Sequence, residues 1–137
     1  MAEPSQSVQL VHNGPEIQSL GVGTWSWGDS LFWQYGKDYG ADDVRQAFEV
    51  SLAAGVNFFD TAEIYGLGKS EELLGQFIQK TATSVAVATK YFPLPWRFNT
   101  QAVADALTAS LKRLQRPTVA LYQVHWPFDF LMGQMAL

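Results

Sequence analysis

A chain of 137 residues with 47% hydrophobic and 16% charged residues can bury one sizeable core, and is neither a disordered tail nor a coiled coil. Its 13 acidic and 9 basic residues, net charge -4, are scattered, so no Lys/Arg run could track a phosphate backbone and nucleic acid is not an expected partner. Cysteine is absent, which excludes a disulfide framework and thiolate metal ligation, and His12 and His125 stand too far apart in the sequence to suggest a metal site.

The first residues, Met1 to Leu10, lack a charged region followed by an apolar one. No stretch approaches the roughly 18 apolar residues that span a bilayer, so neither a leader nor a membrane anchor is expected, and the cytoplasm is the expected compartment. Ser7 to Val11 and Glu16 to Ser19 flank His12-Asn13-Gly14-Pro15, and Asn-Gly supplies the positive backbone angles of a tight turn, so the chain should open with a β-hairpin. A short strand follows at Leu20 to Gly23, then a long aromatic loop from Thr24 to Gly40. From Ala41 to Ala54 the positions Val44, Ala47, Phe48, Ser51 and Leu52 share one helical face, Asp42 and Asp43 favour the N-terminus, and Gly55 ends the helix.

Asn57 to Asp60 reads as a buried strand, and Ser70 is expected to cap a helix with the stripe Leu73, Leu74, Phe77 and Ile78. Val85 to Lys90 is the next apolar strand. After a Pro/Trp loop, Asn99 or Thr100 opens a helix that should bury Val103, Ala106, Leu107, Ser110, Leu111 and Leu114. Pro117 stops it, and Val119 to His125 is a fourth strand. Four strands alternating with three helices are the grammar of a parallel α/β sheet, open and doubly wound or curled into a barrel. Length alone favours the open sheet, since a full barrel typically takes about 250 residues.

The strand ends favour the barrel. Asp60 ends the second strand, Lys90 the third and His125 the fourth, while Tyr65 lies in the loop after Asp60. In parallel βα folds the C-terminal edges of the strands carry the sites, because loops vary there without disturbing the packed layers below. Each residue has an ordinary structural role available to it; four at one rim make a site candidate.

The run Gly55-Val56-Asn57-Phe58-Phe59-Asp60-Thr61-Ala62-Glu63-Ile64-Tyr65-Gly66 resembles the first signature of the aldo-keto reductases. Gly66-Leu67-Gly68-Lys69-Ser70-Glu71 continues it, Ala88-Thr89-Lys90 resembles the family's lysine strand, and Leu121-Tyr122-Gln123-Val124-His125-Trp126 its histidine strand. The resemblance spans roughly residues 17 to 127. It implies a TIM (β/α)8 barrel with an N-terminal hairpin, of which the chain would be the N-terminal half: one partial domain over residues 1–137, truncated after the fourth strand.

By the same resemblance Asp60, Tyr65, Lys90 and His125 match the family's catalytic tetrad for NADPH-dependent reduction of aldehydes and ketones. Gly23, Thr24, Trp25 and Asp60 would approach the nicotinamide end of the cofactor, and Trp27, Trp96 and Trp126 would wall the substrate pocket. The chemistry is coherent. A carbonyl that accepts hydride becomes an alkoxide and needs a proton donor in reach; a phenol is protonated at neutral pH, and a neighbouring ammonium eases proton loss. Tyr65 would be the donor, Lys90 the cation, Asp60 its partner, and His125 would orient the carbonyl oxygen.

Other motifs fail. Gly21-Val22-Gly23-Thr24-Trp25-Ser26 lacks the last glycine of a dinucleotide loop, Gly68-Lys69-Ser70 has Glu63 where a phosphate loop requires glycine, and Thr24-Trp25-Ser26-Trp27-Gly28 lacks the first glycine of a nucleophile elbow. By the resemblance most of the cofactor site would be missing, so a noncatalytic NADPH-binding or regulatory subunit, or an inactive fragment, is the second reading, and a glycosidase using Asp60 and Glu63 a weak third. Half a barrel would expose two unpaired strand edges, so self-association and marginal stability are expected of it.

Overall fold

The structure, a computed structural model, describes residues 7–9, 11–97 and 99–126; the terminal run after Trp126 lies outside them. Strands β1 (Ser7–Gln9) and β2 (Glu16–Gln18) form the antiparallel hairpin, with Ser7 opposite Gln18, and Asn13 in its turn takes a positive φ of 62°. Ile17 is buried, and the Gln18 N–H donates to Asn57 Oδ1 at 3.3 Å, fastening the hairpin to the main sheet.

That sheet consists of β3 (Gly21–Gly23), β4 (Phe58–Asp60), β5 (Ala86–Tyr91) and β6 (Leu121–Val124), all parallel and adjacent in chain order. A doubly wound sheet needs its order to reverse at a switch point. Here it never does, so right-handed crossovers put α1 (Ala41–Ala53), α2 (Lys69–Ile78) and α3 (Thr100–Leu114) on one side. This is barrel topology.

Successive strand residues point to opposite faces. Phe59 pairs in register with Val87, and Thr89 follows on the same side; all three are fully buried under the helices with Phe48, Leu73, Leu74, Phe77 and Leu114. Asp60, Ala88 and Lys90 fall on the other face.

Two expectations about the helices need correction. Ser70 is not the cap of α2: the N-cap is Gly68, whose φ of 95° is left-handed, and no side chain caps it. The Ser70 hydroxyl is fully buried and turns inward to Thr24 and Thr61. In α3 Asn99 does cap, accepting from the Ala102 N–H at 2.7 Å, but Val103 stays 37% exposed, and of the expected stripe Ala106, Ser110 and Leu114 are the buried positions. Small residues face the sheet there because α3 lies close to α2: a Cβ on Gly75 would stand 2.7 Å from the Arg113 carbonyl oxygen.

Behind the sheet lies a charge that the sequence did not announce. Glu71 on α2 is fully buried, accepts from Thr89 Oγ1 at 2.5 Å and pairs with Arg113 Nε of α3 at 2.6 Å. Among the described residues no helix is long and apolar enough to cross a membrane.

Candidate active site

The C-terminal ends of β4, β5 and β6 bring Asp60, Lys90 and His125 to one rim, and the loop after β4 returns Tyr65 to it. Lys90 Nζ donates to Asp60 Oδ2 at 2.6 Å and to the Thr61 carbonyl at 2.8 Å. The same ammonium stands 5.1 Å from the centre of the Tyr65 ring, within reach of a cation–π contact. His125 meets Tyr65 edge-on, ring centres 5.5 Å apart at 90°, and its N–H of the main chain donates to the Tyr91 carbonyl at 2.9 Å.

The imidazole is set apart by what it lacks. Its Nδ1 is buried without a hydrogen-bond partner, which a folded chain tolerates only at a cost unless a ligand or water supplies the partner. Burial first, then the Lys90 ammonium, lower the pKa of His125, against the raising influence of Asp60 and Glu63. The ring is therefore neutral at physiological pH, with one nitrogen able to donate and the other to accept.

A knot of buried hydroxyls fixes the rim from behind. Thr24 Oγ1 lies 2.7 Å from Ser70 Oγ and 3.1 Å from the Asp60 carbonyl; Thr61 Oγ1 lies 3.0 Å from Ser70 Oγ, which also donates to the Thr24 carbonyl at 2.8 Å. Thr24, Thr61 and Ser70 are all fully buried. Through them the ends of β3 and β4 and the start of α2 are held to one another, next to the carbonyl that Lys90 grips.

Gly23 stands opposite Asp60 in the sheet register with open space where a Cβ would project. Thr24, expected near the cofactor, presents no free group there: its side chain is buried, its N–H donates to the Asp60 carbonyl at 2.9 Å, and its own carbonyl accepts from Ser70 and Trp27. Trp25 does reach the rim, stacked on Tyr65 with centres 6.1 Å apart at 27°.

The expected pocket tryptophans separate into three. Trp27 is 4% exposed and packs on Phe59 and Phe77, so it is a core residue and not a pocket wall. Trp96 is 72% exposed in the loop after β5. Trp126 stacks on His125, centres 5.6 Å apart at 6°.

The glycosidase reading loses its second acid. Glu63 is clamped by Arg97, Oε1 to Nη1 at 2.9 Å and Oε2 to Nη2 at 3.1 Å, and accepts from the Phe92 N–H at 2.6 Å, which ties the loops after β4 and β5 together. Tyr122 is no rival to Tyr65. It lies on the helix-facing side in register with Thr89, and burial, then Glu63 and Glu71, push its hydroxyl up to about 12.

Phe92 also escaped the sequence reading: it meets His125 edge-on at 5.7 Å, and only its position two residues past Lys90 could have flagged it. Nor did Ser70 stand out as a rim support, although a hydroxyl between Lys69 and Glu71 at a helix start was the available signal.

This chain matches the model of the Aldo/keto reductase family over residues 19–131. It is 41% identical over 129 residues to pyridoxal reductase, chloroplastic, of Arabidopsis thaliana, covering 86% of this chain and 35% of that protein. To the aldo-keto reductase YhdN of Bacillus subtilis it is 33% identical, over 86% of this chain and 37% of that one. A crystal structure of an aldo-keto reductase from Klebsiella pneumoniae in complex with NADPH superimposes with a TM-score of 0.68 at 29% identity, over 83% of this chain and 37% of that chain. The chain thus spans about a third of the length of these relatives, and its strand order, its rim and its sequence agree on one conclusion: it belongs to the aldo/keto reductase family.

Proposed function

We propose that residues 1–137 form the N-terminal half of a (β/α)8 barrel and contribute the acid–base half of an NADPH-dependent reduction of small aldehydes or ketones. The observation that carries this is the contact chain from Asp60 to Lys90 at 2.6 Å and from Lys90 to the centre of the Tyr65 ring at 5.1 Å, with the neutral His125 edge-on to the same ring.

The residues present suit the reacting end of a nicotinamide cofactor. Gly23 leaves space beside Asp60, and His125 holds an unpartnered buried nitrogen facing no protein acceptor or donor. The cations of this rim, Lys90 and Arg97, are each paired with a carboxylate, so the phosphates would be held by other groups. When bound, the reduced nicotinamide supplies a hydride.

Tyr65 gives its hydroxyl proton to the carbonyl oxygen as negative charge develops there, and a positioned acid of this kind contributes about 100- to 10,000-fold in rate. Lys90 offsets the charge left on the phenol oxygen. Asp60 and the Thr61 carbonyl hold the ammonium in that position with two hydrogen bonds. His125 donates one N–H to the carbonyl oxygen and so fixes where it sits relative to Tyr65.

Tyr65→Phe tests the assignment. With the other half of the barrel present, NADPH consumption with an aldehyde should fall by about 100-fold or more, while NADPH affinity, read by fluorescence titration, stays the same. Undiminished turnover in the variant sinks the assignment of the acid. NADPH binding by the completed barrel with no turnover moves it to the noncatalytic binding subunit.

A further inference from the structure

At the end of the sheet opposite the Asp60–Lys90 rim, where β4, β5 and β6 begin, the hairpin, the residues leading into β5 and the loop between α3 and β6 border a cleft of about 290 Å3. That is close to the lower end of the roughly 300 to 1,000 Å3 of small-molecule pockets. Its frame is hydrogen-bonded: the Ala86 N–H donates to the Asn57 carbonyl at 2.8 Å, the Ala120 N–H to the Val87 carbonyl at 2.8 Å, and the Gln18 N–H to Asn57 Oδ1. In barrels this face ordinarily serves stability, and the acid–base chemistry uses none of it.

The cleft holds an arginine without a counter-charge. Of the chain's four arginines, Arg45 pairs with Asp42 and Glu49, Arg97 with Glu63 and Arg113 with Glu71. Arg116, half-buried in the cleft wall, pairs with no carboxylate among the described residues. Its Nη1 donates to the Val85 carbonyl at 2.6 Å, which anchors the group and engages one of its five N–H donors. Burial lowers its pKa with no neighbouring carboxylate to raise it again, yet a guanidinium stays protonated. A charge drawn out of water in this way is costly until something pairs with it.

The other walls limit what that can be. Val85 is buried and, with Pro15 and Val119, gives the cleft an apolar side. Glu16 borders the same cleft beyond ion-pair reach of Arg116, its Oε1 accepting from the Ser7 hydroxyl. A carboxylate across the cleft disfavours a multiply charged ligand such as phosphate, and an apolar side favours one with a hydrocarbon part. We infer that the cleft binds a small organic monocarboxylate, whose carboxylate meets the Arg116 guanidinium and whose hydrocarbon body rests on Pro15, Val85 and Val119. Two parallel N–H···O bonds are what a guanidinium offers a carboxylate and an ammonium does not. The site stands apart from the rim, so it does not depend on the role of Tyr65.

The test titrates sodium hexanoate against the full chain at constant ionic strength. Binding is read from the Arg116 Nε–H resonance and the main-chain N–H resonances of Ser84, Ala86 and Thr118. Hexanol, equal in chain length but uncharged, should bind about tenfold more weakly, and inorganic phosphate should also bind less well than hexanoate. Arg116→Lys keeps the charge and loses the fork, so it should weaken hexanoate by about tenfold. Glu16→Gln, at an exposed position, should tighten it several-fold by removing a like charge. Hexanoate that moves none of these resonances at about 10 mM, that binds no better than hexanol or phosphate, or whose affinity is unchanged in either variant overturns the inference. So does a response confined to the Lys90 and His125 resonances, which would put the carboxylate at the rim.

Discussion

Two ion pairs stand on opposite sides of β5, anchored by neighbouring residues, and they differ in how completely their atoms are used. Behind the sheet Glu71 spends both oxygens on Thr89 and Arg113, and Arg113 reaches on to Ser110 at 3.2 Å. At the rim the Lys90–Asp60 pair sits beside an imidazole nitrogen with no partner, and the Asp60 side chain is 37% exposed. A buried charge whose every valence is met holds helices to a sheet. A half-open pair beside an unmet one is free to act on something that arrives.

The contrast predicts opposite consequences for stability. Removing one partner of a buried pair leaves the other charge uncompensated, so Glu71→Ala should cost about 3 kcal/mol or more in unfolding free energy. Asp60→Asn keeps an acceptor for the Lys90 ammonium in its amide oxygen and leaves the Thr61 carbonyl in place, so it should cost less, about 1 kcal/mol. Urea unfolding of the two variants gives both numbers, and equal losses would erase the distinction between the two sides of β5.

The same contrast explains what could be read beforehand. Asp60, Lys90 and His125 were legible because a polar residue ending an apolar strand breaks the pattern of its own segment. Strand and helix alternation was legible for the same reason, as burial imposes periodicity on local sequence. Glu71 was not, because an acidic residue in the first turn of a helix already has a reason to be there in the helix dipole, and Arg113 in the last turn of α3 has the mirror-image reason. Their pairing depends on how α2 and α3 cross, which no local window contains. Trp25 and Trp27 share a loop without periodicity, so nothing in the sequence told the rim indole from the core one.

A smaller effect sharpens the comparison at the hydroxyl knot, which lies between the two regions. Thr61→Val keeps the shape and removes the hydroxyl that meets Ser70, while Thr61→Ser keeps the hydroxyl and removes a methyl. A lost hydrogen bond in a buried site costs about 1 kcal/mol. If the knot acts through its hydrogen bonds, Thr61→Val should lose that amount and broaden or shift the Lys90 side-chain resonances, because the Thr61 carbonyl that Lys90 grips is no longer held in place. Thr61→Ser should leave those resonances where they are. The opposite ranking would make the knot a matter of packing alone.

The smallest effect is the most specific to the rim. Because folding lowers the pKa of His125 from 6.5, the unfolded chain binds more protons than the folded one just below that pH. Stability from this residue is then complete above pH 6.5 and declines as pH falls through that value towards the folded pKa. Burial is the first cause and the Lys90 ammonium the second, so Lys90→Met should raise the His125 titration part of the way and leave it below 6.5. Asp60→Asn, which removes a raising neighbour, should lower it further. Proton NMR of the imidazole follows each variant, with His12→Gln supplying the assignment. Should Lys90→Met leave the titration unmoved, the ammonium does not act on the imidazole, and the rim is a set of separate side chains whose nearness has no electrostatic consequence.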